Sequence, residues 1–189
     1  GLALANHAGF SAGLCALGVA GAGRAFNAAQ TAACLSLEGF RANLSPFDER
    51  VIALRAQAGE LEAARQILTR LKGSKLFTSG EARRLQDPLS IRNIPQIHGV
   101  FICAHDQARA IAETEINGSS DNPATLNDDG EILSTGNYLT PHLTLAAETL
   151  SRAFVHLATA QVARISKLLS DRFTGLPLFL AAPGVVSSG

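Results

Sequence analysis

The chain has 189 residues, of which 47% are hydrophobic and 17% are charged, and its formal net charge is zero. This composition excludes a disordered chain, and the neutral balance disfavours a general nucleic-acid or membrane-surface binder. Abundant alanine and glycine, with only 5% aromatic residues, favour closely packed helices. The three cysteines, Cys15, Cys34 and Cys103, are odd in number and lack CxxC spacing, which predicts buried, reduced thiols in the cytoplasm.

The first predicted element is a helix over residues 9–40 that is apolar on nearly every face. Such a helix belongs in the middle of a large bundle. A membrane span is the alternative, because residues 1–23 carry no formal charge apart from a possible proton on His7, and "GFSAG" fits GxxxG. The polar interruptions at Asn6, His7 and Ser11 favour the buried helix of a soluble protein.

Two shorter segments follow this helix. Residues 43–59 are predicted to be irregular, with a break at Ser45-Pro46. A helix over residues 60–72 is predicted to end before Gly73, because glycine suits the residue that follows a helix. Residues 74–85 are a polar connection. The buried stripe of the helix is predicted to contain Leu61, Ala64, Leu68 and Leu71.

The second half is predicted to contain two long helices. The first starts at Pro88, with Asp87 as its N-cap, runs to about residue 116 and is interrupted at Pro95, which has no N–H to donate. The second starts at Thr140-Pro141. The buried stripe of the first contains Ile91, Ile94, Ile97, Phe101, Ala104, Ala108 and Ile111. The second directs towards the core Leu143, Ala147, Leu150, Phe154, Leu157, Ile165 and Leu168.

A polar loop over residues 117–137 connects these two helices, and Asp129-Gly130 within it predicts a small hairpin. The residues after Gly175 are predicted to form an apolar, proline-bearing loop. The chain shows no internal repeat and no linker-like segment. The predicted fold class is therefore all-α, a bundle of long helices with one small hairpin insertion.

The segment "QDPLSIR", residues 86–92, is the strongest local candidate for a binding site. Leu89 and Arg92 are three positions apart, so they share a helix face. Gln86 lies just outside the helix and can turn its amide over the N-terminus. Free N–H groups at the helix end and the Arg92 guanidinium together predict a pocket for a carboxylate or phosphate. The alternative is a surface salt bridge between Arg92 and Asp87.

"GFSAG" also fits G-x-S-x-G, the nucleophile elbow of α/β-hydrolases. Ser11 would then be the nucleophile, with His142 or His156 as its base and Asp121 as the orienting carboxylate. The elbow needs a strand before the serine and a helix after it, and no strand pattern precedes Ser11. A buried helix rich in small residues is the favoured interpretation.

Three further motifs favour ordinary structural roles. "GVAGAG", residues 18–23, has the wrong order for the dinucleotide fingerprint. His98 and His105 can share a helix face, but no further ligand completes a metal site, and His98 is interpreted as a structural residue. In "NGSSDNP" and "STGNY", Asn122, Asn137 and Tyr138 occupy positions typical of turns.

Taken together, the motifs resemble the histidine ammonia-lyase family, which includes phenylalanine and tyrosine ammonia-lyases and aminomutases. The resemblance spans essentially the whole chain, and several independent motifs occur in the family's order. These are "GLALANHAG", "SLEGFRAN", "PFDERVIALR", "RLQDPLSIRNIPQIHG", "EINGSSDNPAT", "STGNY" and "TGLPLFL".

The resemblance implies an all-α homotetramer whose active sites are each built from three subunits. It also implies a carbon–nitrogen lyase that eliminates the α-amine of an amino acid. Its electrophile is a methylidene-imidazolone, formed from an internal Ala-Ser-Gly, that turns the substrate amine into a leaving group. A tyrosine on a mobile loop removes the β-proton, and neither a metal nor an exogenous cofactor is implied.

Individual positions follow the family motifs. The resemblance implies that Asn6 lies beside the prosthetic group and that Gln86 lies near the substrate amine and carboxylate. It implies that Arg92 binds the carboxylate, and it matches Asn122 to the asparagine of the family's Asp-Asn-Pro. Tyr138 occupies the position next to the prosthetic group that usually carries a phenylalanine.

Three departures leave alternatives open. The Ala-Ser-Gly and the loop tyrosine would lie upstream of Gly1, so residues 1–189 are interpreted as the central helical-bundle segment of a larger lyase. The usual Asn-Gly-Thr is Asn6-His7-Ala8 here. Leu89 replaces the usual tyrosine and has no hydroxyl to orient the amine. A divergent lyase that expels trimethylamine from an amino-acid betaine and a catalytically inactive homologue are therefore alternatives.

Overall fold

The computed structural model describes residues 5–55 and 57–182, and it confirms the predicted all-α class. The helices are α1 (Gly9–Phe40), α2 (Glu49–Ala53), α3 (Ala58–Arg70), α4 (Leu89–Arg92), α5 (Ile94–Asn117), α6 (Pro141–Leu168) and α7 (Asp171–Thr174). Short 3-10 turns lie at Ser45–Phe47, Lys75–Phe77 and Leu178–Leu180. Strands β1 (Ala124–Leu126) and β2 (Glu131–Leu133) form an antiparallel pair in which Thr125 faces Ile132.

The described residues divide into two compact units. The first comprises the chain through Phe26 together with Cys103–Arg152, and the second comprises Asn27–Ile102 together with the chain from Ala153 onward. The three long helices α1, α5 and α6 therefore contribute one end to each unit.

The first unit contains a small core and the hairpin. Ala12, Ala112 and Leu143 are buried together, one from each long helix. His105 on α5 contacts the backbone carbonyl oxygen of Val19 on α1 at 3.1 Å, which joins these two helices by a polar contact. The predicted hairpin is confirmed, and Gly130 takes the positive φ of +66° that its turn requires.

The second unit contains the larger core. Phe40, Phe47, Ile67 and Ile91 are fully buried there, and Leu37 and Ile94 join them. Helices α3 and α5 approach closely at Gly99, where a Cβ atom would lie 2.5–2.7 Å from the backbone of Gly59 and Glu60. Glycine is required at this crossing because a side chain would separate the two helices.

Several local expectations are wrong in detail. Residues 43–59 contain a 3-10 turn and helix α2, because Asp48 caps that helix by accepting a hydrogen bond from the Arg50 N–H at 2.9 Å. Helix α3 starts earlier than predicted. Ala64 and Leu71 are buried as predicted, and Leu61 and Leu68 are partly buried against the core. The buried face of the helix also includes Gly59, Glu60, Ala63 and Ile67. Gly73 takes a positive φ of +90°, as expected just past this helix.

On helix α6, Leu143, Leu150 and Leu157 are buried as predicted, but two other positions differ. Ala146 is buried in place of the predicted Ala147, and Arg164 is buried in place of the predicted Ile165, which is 54% exposed. The expectation of three buried thiols is also wrong. Cys34 is buried, Cys15 is partly buried and Cys103 is exposed, and all three are free.

Helix α1 is confirmed at its predicted bounds, but its apolar surface is largely uncovered. In the described part of the chain it is the one helix that is long and apolar enough to cross a membrane, a test that core helices of soluble proteins also pass. Phe10 and Leu17 are 74% and 71% exposed, and Leu35 is exposed as well. This helix therefore presents apolar faces that the described residues do not cover.

Candidate functional site

The candidate site centres on residues 85–96 of the second unit, where α4 and α5 meet. The long helix predicted from Pro88 is divided at Asn93, so α4 is a separate four-residue helix and Pro95 lies in the first turn of α5. Proline is tolerated there because the first N–H groups of a helix have no intrahelical partner. Arg92 is thus the last residue of α4.

This division corrects the predicted role of the helix end. The N-cap position of α4 is Pro88, without a side-chain cap, and the Asp87 carboxylate accepts a hydrogen bond from the backbone N–H of Asn43 at 2.7 Å instead. A four-residue helix aligns few peptide dipoles. Arg92, rather than the helix end, therefore carries the main positive charge of this segment.

The residues of this segment alternate between exposed and buried positions. Gln86 is exposed and Leu89 is 62% exposed, whereas Ser90 and Ile91 are buried. Arg92 is partly buried. The alternation arises because Ile91 belongs to the core cluster of the unit, which turns the opposite face of α4, with Leu89 and Arg92, away from that core.

Four polar atoms in this segment are buried and have no hydrogen-bond partner among the described residues. They are Asp87 Oδ1, Ser90 Oγ, Arg92 Nε and Gln96 Oε1. Buried polar atoms in folded proteins nearly always have partners, and leaving one unsatisfied costs about 1–3 kcal/mol. These four atoms lie within ten residues of one another, which makes this segment the candidate for a binding site.

Charge reinforces this interpretation. Burial raises the pKa of the Asp87 carboxyl, and the Asn43 N–H and the positive charges of Arg84 and Arg92 oppose that rise. The alternative of a direct Arg92–Asp87 salt bridge is not observed, since no ion pair within 4.0 Å involves Arg92 in the described ranges 5–55 and 57–182. The Arg92 guanidinium therefore remains available to an anion.

The first unit holds the other three candidate residues. Asn6 and Tyr138 are exposed. Asn122 is exposed too, and its Oδ1 accepts a hydrogen bond from the Thr135 N–H at 2.8 Å. This bond ties the residues just before β1 to the segment that follows β2.

The alternative chemistries find no support in the fold. Ser11 lies inside α1 and no strand precedes it in the described residues, so the nucleophile elbow and the α/β-hydrolase assignment are wrong. Residues 18–23 are helical, which excludes a phosphate loop. No group of three metal-ligating side chains occurs among the described residues.

His98 behaves as the buried structural residue that was expected. It is 1% exposed, and burial together with the positive charges of Arg164 and Arg70 lowers its pKa to about 3. The imidazole is therefore neutral at physiological pH, and a neutral ring is easier to bury than a charged one.

The sequence did not predict the positions of two polar residues of the second unit, Asn43 and Arg164. Asn43 contacts the candidate segment from 44 positions away in the chain, and the only hint of this in the sequence is its place in "SLEGFRAN". Arg164 is 3% exposed, and its Nη1 has no partner within the part of the chain that the structure describes. A single arginine beside an apolar stripe gives no sign of burial.

Comparison with known proteins identifies the class to which this fold and these candidate residues belong. A family model described as "Aromatic amino acid lyase" matches residues 1–189. The chain belongs to this family, as its motifs had indicated.

Individual relatives show which members of the family this chain is similar to. The chain is 38% identical to histidine ammonia-lyase of Rhodospirillum rubrum over 195 residues, which cover all of this chain and 37% of that protein. The chain thus spans little more than a third of the length of the curated relatives it matches.

Two solved structures share the fold. Histidine ammonia-lyase from Trypanosoma cruzi superposes with a TM-score of 0.83 at 28% identity, covering 97% of this chain and 34% of that one. Ergothionase from Treponema denticola, an ergothioneine-degrading enzyme, superposes with a TM-score of 0.81 at 31% identity, covering 88% and 34%. The family fold therefore includes enzymes with more than one substrate.

Proposed function

We propose that residues 1–189 are the central helical-bundle segment of a lyase that eliminates the α-amine of histidine or an aromatic amino acid. In this reaction a proton is removed from Cβ, and the electron pair of the broken Cβ–H bond forms the Cα=Cβ bond. The amine leaves with the electrons of the Cα–N bond. The products are an α,β-unsaturated acid and ammonia. The family match over the whole chain and the relatives named histidine ammonia-lyase support this activity.

The observation that carries the proposal is the state of Arg92. Its Nε is buried without a partner among the described residues, and Arg92 itself is partly buried three positions after the exposed Leu89. A guanidinium presents two parallel donors that match a carboxylate, and such a charge-assisted pair is strongest where water is excluded. Arg92 therefore binds the substrate carboxylate, and the exposed amide of Gln86 orients the amine beside it.

A methylidene-imidazolone, as found in this family, would supply the electrophile that makes the amine a leaving group. Side chains of the first unit fit such a group, because the exposed Asn6 amide and the Tyr138 phenol can both hydrogen-bond to a carbonyl oxygen. Asn122 contributes a further amide donor, since only its oxygen is used by Thr135. The proposed reaction needs no metal and no exogenous cofactor.

Leu89 supports a second candidate within the family. An exposed leucine in place of a tyrosine gives the site an apolar wall that has no hydroxyl. Such a wall suits the methyl groups of a trimethylammonium, which cannot accept or donate hydrogen bonds. One structural relative, ergothionase, degrades ergothioneine, so this fold also accommodates a substrate other than histidine.

The exposed apolar faces of α1 bear on assembly. Phe10, Leu14 and Leu17 are all more than half exposed, and apolar patches of this kind mark protein–protein contacts. We propose a soluble, cytoplasmic homotetramer in which α1 packs in a helical core shared between subunits, with active sites built from more than one subunit. Light scattering on the full-length protein should give the mass of a tetramer, and a stable monomer would contradict this assembly.

The activity is tested on the full-length enzyme with a panel of substrates. Histidine, phenylalanine and tyrosine are assayed for the ultraviolet absorbance of the unsaturated acid and for released ammonia, and their trimethylammonium betaines for released trimethylamine. Ammonia release supports the leading proposal, and trimethylamine release supports the second. An enzyme inactive on the whole panel would favour a catalytically inactive homologue.

A further inference from the structure

Asn43 is bonded to both neighbours of Gln86. Its backbone N–H donates to Asp87 Oδ2 at 2.7 Å, and its side-chain Nδ2 donates to the carbonyl oxygen of Leu85 at 2.8 Å. The residues directly before and after Gln86 are thus tied to one residue. The Gln86 side chain between them is exposed. Asn43 therefore holds the carbonyl group before Gln86 and the carboxylate of the residue after it.

Asn43 is itself held in place. Its Oδ1 accepts hydrogen bonds from the N–H and the hydroxyl of Ser45, at 2.9 and 2.7 Å. The preceding residue, Ala42, is fully buried and donates its N–H to the carbonyl oxygen of Leu37 near the end of α1. The anchor for the Gln86 segment is therefore part of the core of the second unit.

Asp87 links this anchor to the anion-binding group. It is 3% exposed, with one carboxylate oxygen on Asn43 and the positive charge of Arg92 near enough to act on it. Burying a carboxylate is costly unless hydrogen bonds and opposite charges compensate. The buried Asp87 side chain therefore contacts Asn43 and also interacts with the positive charge of Arg92.

We infer that Asn43 and Asp87 are positioning residues that fix segment 85–87 so that Gln86 faces the substrate. This role rests on the amine elimination proposed above. Neither residue touches the substrate, and both act through the backbone on either side of Gln86. Small displacements of an orienting group reduce the rate of the chemical step more than they reduce binding by a separate group.

The first test removes the bond between Asn43 and Leu85 in the full-length enzyme. Asn43→Ala should lower kcat about tenfold, the effect of one lost hydrogen bond, while KM stays within about threefold because Arg92 is untouched. Ser45→Ala is the matched control. It removes one bond to Asn43 Oδ1 but leaves both bonds to segment 85–87, so kcat should remain unchanged.

The second test uses a pair of substitutions at Asp87. Asp87→Ala should lower kcat as Asn43→Ala does. Asp87→Asn keeps an oxygen that can accept from the Asn43 N–H, so it should restore kcat to within about threefold of the wild-type value. Urea unfolding midpoints of all variants show whether lost activity reflects lost folding. Should Asn43→Ala not fold, Asn43→Asp replaces it, because its carboxylate accepts from Ser45 but cannot donate to Leu85.

The outcomes separate the two proposals. If the wild type is active and both alanine variants retain its kcat, the positioning role is wrong and the amine elimination stands. If kcat falls only in proportion to the unfolding midpoint, or if Asp87→Asn is as impaired as Asp87→Ala, the positioning role is also wrong. If the wild type releases no amine from any substrate of the panel, both proposals are overturned.

Discussion

Asp48 and Asp87 perform the same local task in two different surroundings of the second unit. Each accepts a hydrogen bond from a backbone N–H, Asp48 from Arg50 at 2.9 Å and Asp87 from Asn43 at 2.7 Å. The Asp48 carboxylate also accepts hydrogen bonds from the Arg50 guanidinium. These bonds, together with the bond from the Arg50 backbone N–H, lower the pKa of Asp48 to about 2. Burial instead raises the pKa of Asp87.

The difference shows where this molecule retains binding capacity. The exposed Asp48–Arg50 pair satisfies itself, and an exposed pair of this kind contributes little to stability. Around Asp87, by contrast, Arg92 Nε and Ser90 Oγ are buried with no partner in the described ranges. Buried polar groups without partners carry a cost that a bound group can relieve, so the region around Asp87, unlike that around Asp48, retains unsatisfied hydrogen-bonding groups.

The largest effect is expected from Arg92→Ala. Removing one partner of a desolvated charge pair costs about 2–4 kcal/mol, so KM should rise about 30- to 1,000-fold. Arg92→Lys should also weaken binding severely, because an ammonium lacks the planar fork. Steady-state kinetics of the full-length enzyme measure both, with Arg50→Ala as the control on an exposed arginine. Unchanged affinity for every substrate would show that Arg92 has only a structural role.

Leu89→Tyr is expected to have the next largest effect. If the site can eliminate ammonia, a restored hydroxyl should raise amine elimination from an aromatic amino acid about tenfold, a modest part of what positioned acid–base groups contribute. Ammonia release measures the gain. Leu85→Tyr, at a neighbouring residue that is 87% exposed, is the matched control and should give none. Equal rates for the two variants would contradict the assigned position of Leu89.

The third prediction separates the two aspartates by pH. Because the folded-state pKa of Asp48 is lowered from 3.8 to about 2, its stabilising contribution is complete above pH 4 and is lost as the pH falls towards 2. The pKa of Asp87 is raised, so its ionised form destabilises the fold above that pKa, and this penalty disappears on acidification.

Urea unfolding midpoints between pH 3 and 8 test this difference. Asp48→Asn should lower the midpoint slightly at pH 7 and flatten its decline in acid. Asp87→Asn should leave the midpoint unchanged or raise it at pH 7, because it removes a buried charge while keeping the acceptor. A loss of stability at neutral pH in Asp87→Asn would show that the carboxylate is better compensated than its burial indicates.

The smallest effect is expected from Ser11→Ala. Ser11 lies on an exposed face within α1, far in sequence from segment 85–96. Loss of its hydroxyl should leave kcat/KM within about twofold, because a packing residue contributes nothing to the chemistry. A catalytic serine is indispensable, so a loss of several orders of magnitude would revive the nucleophilic mechanism.

Local pattern predicted the helices well. Residues 9–40 form α1 at the expected bounds, α6 begins at Pro141 directly after Thr140, and Asp129-Gly130 closes the hairpin. These features depend on side chains within a few positions of one another, which the sequence displays directly. The motif "QDPLSIR" also supplied the site candidates Gln86, Leu89 and Arg92, whose roles stay predictions.

The sequence by itself determined the fold class, the long helices and the family. Only the tertiary structure decided that the Asp87 carboxylate accepts a hydrogen bond from the Asn43 N–H rather than capping α4. It also decided that Arg164 rather than Ile165 is buried. The physical reason is that burial and long-range hydrogen bonds arise from residues far apart in the chain. Asn43 and Asp87 are separated by 44 positions, and no local pattern specifies that their backbone and carboxylate meet inside the second unit.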